Sequence, residues 1–429
     1  MSRLDPEGTH PTVLEALEEG SKEVRLAALG CLEGRADAAA LLLPQVKARA
    51  QEVRAAAYRA LARIDRPEVV EALEAAIRGK DVELVAPYVA KNANLDLAAL
   101  MLDELTKQLA VVRALDPKAK KATGKSPDAG PVARFLVLLR GVSGRTDAPL
   151  VDVLLAALAD HAVLAPLAAD VHESGALAVE HVAQALLLAG DPRGRAALAA
   201  FGAEAPSYLV QAAFVATTLA DGPAAAFAVF SPVFLERPSG RTKAAKEAIA
   251  RAEAIAGLLR HRAQARERDE DYYWYGGEGL VAQRFTDIAV DPRWLGAAVK
   301  VEDRDLILAL AEPGHPELHG YLTRAVRDAL GAKKPEPSYE LGAVLEGLVK
   351  SAHPELVPLF VEVCERFAKG TGQWTDYMIH LNIFAHIPKL PPAAIEPLKA
   401  LIPKMSDKIL DGFAEPLDAL VRKHAGSKN

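Results

Sequence analysis

The chain has 429 residues, a formal net charge of −6, 51% apolar residues and only 5% aromatics. That length exceeds what one compact core organises, so several domains or an elongated array are expected. The acidic balance excludes a whole-chain basic footprint for nucleic acid, and two isolated cysteines, Cys31 and Cys364, exclude a disulfide framework or a cysteine zinc site. Ala, Leu and Val carry most of the apolar content, and two-residue alternation is nearly absent, which favours helices over sheets. The start, MSRLDPEGTH, has no apolar signal region. The most apolar stretch, 207–235, is broken by Asp221, Gly222, Pro223 and Pro232, short of the roughly 18 unbroken residues that span a bilayer. A soluble, cytoplasmic protein without membrane contact is the expectation.

Residues 1–115 carry a repeat of 29 residues. SKEVRLAALGCLEG from Ser21, AQEVRAAAYRALARI from Ala50 and GKDVELVAPYVAKNA from Gly79 align. Val24, Val53 and Val82 share a slot, as do Ala27, Ala56 and Val85, and Cys31, Ala60 and Val89. Steps of three and four residues put these positions on one helix face. A second helix precedes each copy, so the unit is a helix, a turn and a helix. The x-V-R-x-A-A-x-x-A-L pattern at Val24–Arg25 and Val53–Arg54 resembles the HEAT-repeat family, in the short form also found in bilin-lyase-like proteins. The third copy departs from it, with Glu83 in place of the arginine and Pro87 inside the helix. The resemblance implies an all-α solenoid of antiparallel helix pairs. It also implies that Arg25 and Arg54 join a polar ladder within the array, with Glu23 and Glu52 as its acidic members, or reach a partner on the concave face.

Residues 116–131, with Lys118, Lys120, Lys121 and Lys125 among Pro, Gly and Ser, read as a mobile basic loop. Residues 132–268 read as helices without a clean period. The last of these buries Ile249, Ala252, Ile255 and Leu259, and its apolar face ends near Arg260. Residues 269–282 read as an aromatic and glycine loop. Residues 283–429 show a longer repeat of 38 residues, in which Leu322, Phe360 and Leu398 correspond. So do Ile307, Leu345 and Ile383, and then Leu310, Leu348 and His386.

The candidate contacts lie where the repeats break. Tyr272, Tyr273, Trp274 and Tyr275 combine area with polar tips, as binding hot spots do. Arg262 and Arg266 belong to a locally basic stretch, 241–268, which reads either as a phosphate-binding ridge or as a solvated face with internal ion pairs. His315 and His319 have the spacing of two ligands on one helix face, but no third ligand accompanies them. His353 repeats His315 as a helix-start residue, and His386 reads as a hydrogen-bonded core histidine. Trp294 and Trp374 are assigned to packing at helix starts, and Cys31 to the core. No nucleophile elbow, phosphate loop or dinucleotide fingerprint is present, so no catalytic residue, cofactor or metal is expected. The expected function is a non-enzymatic scaffold or adaptor whose concave surface takes a protein partner. Two alternatives stand beside it: a nucleic-acid-binding protein, including the DNA-repair glycosylase type, which rests on the basic 241–268 stretch and aromatics that could stack on bases, and a bilin-lyase-type enzyme or chaperone, which the resemblance implies. Oligomeric state is left open.

Overall fold

A computed structural model of the chain describes residues 10–89, 95–115, 129–167, 177–265, 280–285, 287–311, 316–370 and 373–425. The described residues form helices, with no strand among them. They fall into two compact units, one within Met1–Phe230, Pro238–Leu258 and Tyr272–Ile288, the other within Ser231–Arg237, Leu259–Asp271 and Ala289–Asn429.

The first unit contains α1 His10–Glu19, α2 Lys22–Leu32, α3 Ala39–Leu42, α4 Gln51–Leu61, α5 Pro67–Arg78, α6 Val82–Val89 and α7 Leu95–Arg113. Then come α8 Ala129–Val142, α9 Ala148–Ala159, α10 His161–Leu164, α11 Ala178–Ala189, α12 Pro192–Ala199 and α13 Ser207–Asp221. Residues of α14 Pro223–Leu235 and α15 Lys243–Ala265 are divided between the units, and the short α16 Leu280–Arg284 belongs to the first. Helices α8 and α16 occupy Ala129–Pro131 and Leu280–Ala282, the ends of the two segments expected as loops.

Local chemistry starts and stops these helices. The Ser21 hydroxyl accepts the Val24 N–H, and the Asp191 carboxylate accepts the Arg193 N–H, which satisfies amides that the helix leaves open. Pro67 and Pro192 sit in first turns, where a missing N–H costs nothing. Stacking then makes two layers. In one, α2 packs on α4, α4 on α6, α6 on α8, α8 on α11 and α11 on α13. In the other, α5 packs on α7, α7 on α9 and α9 on α12. The same alternation therefore passes through the centre, where the sequence shows no period. Helices α6 and α8 approach closely because position 141 is glycine: a Cβ there would lie 2.7 Å from the Ala86 carbonyl oxygen.

The shared apolar slots are buried in the second and third copies, at Val53, Ala60, Val82, Val85 and Val89. The first copy departs from expectation. Val24 is 46% exposed, and Ala27 and Cys31 are exposed with it. Helix α2 buries Ala28, Leu29 and Leu32 instead. Helices α4 and α6 each pack on a preceding second helix, α2 and α4, and among the described residues none precedes α2.

The arginine ladder is present with different acidic members. Arg25 donates to the carbonyls of Gly20 and Glu18 at the end of α1. Arg54 donates to the equivalent carbonyls of Ala48 and Arg49, and grips Asp81 with two bonds of 3.0 and 3.1 Å. Asp81 occupies the slot of Glu23 and Glu52 one repeat later. Glu52 itself pairs with Lys22 at 3.0 Å on the surface, and Glu23 accepts from Ser21. In the third copy the missing arginine is replaced from α8. Arg134 donates to the Ile77 and Gly79 carbonyls at 2.8 and 2.9 Å, and also bonds the Arg78 carbonyl and Glu104. A cation at a helix C-terminus answers both the open carbonyls and the helix dipole.

The second unit contains α17 Arg293–Lys300, α18 Arg304–Ala309, α19 Pro316–Gly331, α20 Tyr339–Lys350, α21 Leu356–Phe367, α22 Gln373–Asn382, α23 Ile395–Lys399 and α24 Asp407–Ala425. One layer runs α17, α19, α21; the other runs α18, α20, α22, α24. The 38-residue register places Ile307, Leu345 and Ile383 in the core, and Leu322, Phe360 and Leu398 as well. Trp294 is fully buried against Phe234, as expected of a packing residue.

Candidate functional site

In the second unit the chain leaves α19 through Lys333–Pro337 and enters α20. Ser338 caps that helix by accepting the Leu341 N–H at 3.3 Å. The linker is pinned at Pro337, whose carbonyl accepts the Asn382 side-chain N–H at 2.8 Å. Nearby, α21 is followed by Gly370, whose N–H donates to the Phe367 carbonyl and whose φ of 61° suits glycine in the left-handed region. The Ser406 N–H donates to the Ala368 carbonyl, which holds the 402–406 turn against the same end. Together these fixed ends frame a groove of about 1380 Å³. Its floor includes buried Phe367, Ala368, Met378 and Ile379.

The groove's rim is unlike the rest of the described surface. Trp374, Tyr339 and Tyr377 are 72%, 63% and 56% exposed, more than any other large apolar side chain among the described residues. Trp374 and Tyr339 line the groove, and Tyr377 lies against Trp374 with ring centroids 5.8 Å apart. Leu381, also exposed, extends the row along α22. Positions 374, 377 and 381 make an apolar stripe along one side of α22, with buried Met378 at its edge and Ile379 on the buried side. An apolar stripe left in water on a framed helix is a feature of interaction sites rather than of cores.

Cationic side chains surround the aromatics. Lys333, Lys334, Arg366 and Lys369 line the groove, are exposed, and have no carboxylate partner among the described residues. Lys404 pairs with Glu365 at 2.6 Å. The Ser338 hydroxyl holds the Glu340 carboxyl below its usual range.

The assignment of Trp374 to packing is therefore corrected: it starts α22 but points into water. Tyr339 and Tyr377 escaped attention in the sequence because neither stands in a run of aromatics. The signal that could have found Tyr377 is its spacing in α22, three residues after Trp374 and four before Leu381, which puts the three on one face. Cys31 is corrected too, from core to surface, whereas Cys364 is buried and burial pushes its thiol pKa up.

The other candidates lie apart from this groove. Tyr272, Tyr273, Trp274, Tyr275 and Arg266 fall outside the described residues, and of Arg262 only the helical backbone is described. Arg25 and Arg54 are engaged in the ladder. Asp81 also accepts from the Tyr58 hydroxyl, and burial followed by that negative charge pushes the phenol up to about 12. In the basic stretch, Arg260 pairs with Asp303 at 3.5 Å, and Glu247 caps α13 through the Ser207 N–H at 2.7 Å. His315 falls outside the described residues. His319 and His353 lie with ring centroids 4.6 Å apart. His353 accepts the Glu355 N–H through Nδ1 before α21, the expected helix-start role, while Nε2 meets Thr323 Oγ1 and the His319 carbonyl. His386 is buried, as expected, but its Nδ1 has no hydrogen-bond partner among the described residues, and burial lowers its pKa. No group of three metal-ligating side chains occurs among the described residues.

Residues 11–87 match the family model for HEAT repeats. No curated protein matches the chain. Among the described residues, no helix is long and apolar enough to cross a membrane.

Proposed function

We propose that this protein is a scaffold or adaptor that holds a protein partner at α22 and the adjoining groove. HEAT repeats generally mediate protein interactions, and the stacked layers within each unit offer a surface for them. The observation that carries the reading is the exposed Trp374–Tyr377–Leu381 stripe in a chain with few aromatics. Indole and phenol rings concentrate binding energy at interfaces because they bring large area with few rotatable bonds. A rigid frame lowers the cost of ordering that surface on contact. The Tyr272–Tyr275 segment is retained as a second, independent contact in the proposal.

Affinity capture from the source lysate tests this, comparing the native chain with a Trp374→Ala/Tyr377→Ala variant. The expected result is a defined set of proteins that the variant loses. Identical recovery by both chains overturns the assignment of the partner surface to α22.

A further inference from the structure

Resting on that reading, we propose that the groove beside α22 takes an extended, acidic, proline-bearing segment of the partner protein. Three observations lead to this occupant. The first is charge. Five cations, Lys333, Lys334, Arg366, Lys369 and Lys404, line the groove against three carboxylates, Glu336, Glu340 and Glu365. The excess is positive in a chain whose net charge is −6. Of the five, only Lys404 is matched by a carboxylate within the groove's own frame. A carboxylate-bearing segment would complete the others, and such complementarity chiefly sets orientation and encounter rate.

The second is shape. A volume of about 1380 Å³ lies above the roughly 300–1,000 Å³ of small-molecule pockets, so a length of chain fits it better than a metabolite. The third is the aromatic lining. Tyr339 and Trp374 both line the groove and are exposed to water. Proline-rich segments dock in aromatic-lined grooves of this kind because their extended helix is already ordered before binding.

Single-stranded nucleic acid also uses cations and aromatic rings. Here Glu336, Glu340 and Glu365 are interspersed with the cations, which breaks the continuous positive track a phosphate backbone follows. A peptide can alternate its charges and apolar residues to match; a phosphate chain cannot.

The test is fluorescence anisotropy with the full chain and four labelled probes of matched length: a Glu-Pro repeat, a Lys-Pro repeat, a Glu-Ala repeat and an oligothymidylate. The Glu-Pro probe is expected to bind, more weakly as salt rises, and the Lys-Pro and oligothymidylate probes to bind at least tenfold more weakly. Trp374→Ala and, separately, Lys333→Glu/Lys334→Glu should each reduce Glu-Pro binding about tenfold or more. The lysines stand on an exposed turn, so that variant remains informative if the tryptophan variant misfolds. Equal binding of Lys-Pro or tighter binding of oligothymidylate overturns the acidic occupant. Equal binding of Glu-Ala overturns the proline anchor. If no peptide binds while lysate capture still depends on Trp374, the partner chemistry falls and the interaction surface stands. If capture does not depend on Trp374, the surface itself falls.

Discussion

Replacing Arg54 with methionine keeps the stem and removes the guanidinium. The change takes away the two-bond grip on Asp81 and the bonds to the Ala48 and Arg49 carbonyls. Asp81 is left in a site where its side chain is 12% exposed, with the Tyr58 hydroxyl as its remaining donor. Breaking a fully buried pair costs about 3–5 kcal/mol, and a hydrogen bond to a charged group contributes about 1.5–3. Residual solvent at this pair lowers the figure, so we expect a loss of about 2–3 kcal/mol. In a stacked array each unit depends mainly on its neighbours, so the loss should stay local. Hydrogen exchange followed by mass spectrometry reads it directly. Amides of α4 and α6 should exchange about thirty- to a hundredfold faster, since about 1.4 kcal/mol is a factor of ten. Amides of α19 to α21 should not change. Adding Asp81→Leu should recover at least about 1 kcal/mol of the loss, because the orphaned carboxylate is then gone. Unchanged exchange in α4 and α6, or strict additivity of the two substitutions, refutes the ladder as a stabilising element.

Arg134→Met should loosen the C-terminal turn of α5 by about 1–2 kcal/mol, a loss seen as faster exchange there although position 134 is remote in sequence. Burial, with a smaller contribution from the Arg140 charge, lowers His181 from 6.5 to about 4. The unfolded chain therefore takes up a proton that the folded chain refuses, and stability present above pH ~6.5 is lost as pH falls toward ~4, by up to about 3 kcal/mol. His181→Gln should flatten that dependence in urea titrations run across the interval. A thiol reagent should label Cys31 at once in the folded chain and Cys364 only on unfolding; simultaneous labelling would contradict the placement of either residue.

Much of the architecture was legible in the sequence because burial imposes a period. The slots Val53/Val82 and Leu322/Phe360/Leu398 recur because each layer repeats the same contact, and those residues are buried. The period is blind to position within the array. Val24 and Cys31 carry the slot's chemistry at a place where, among the described residues, no preceding second helix covers them. The ladder's acidic partner was misplaced by one repeat for a related reason. Sequence neighbours Glu23 and Arg25 share a helix, whereas the geometry pairs Arg54 with Asp81 across the turn to the next repeat. Arg134 was out of reach of repeat reasoning, since it fills the vacant slot of one copy from a helix outside that copy. The groove at α22 was missed because Tyr339 joins Trp374 only when the starts of α20 and α22 and the end of α21 frame one groove. A lone tryptophan near a helix start reads as an anchor until its exposure is known.

Photo-crosslinking from α22 shows whether this helix is where the protein meets another. A photoreactive phenylalanine analogue at position 377 is compared with the same group at position 408, an exposed site on α24 of the same unit. Discrete crosslinked protein species are expected from 377, absent from 408, and lost when Trp374→Ala is added. Equal crosslinking from both positions, or none from 377, would contradict it.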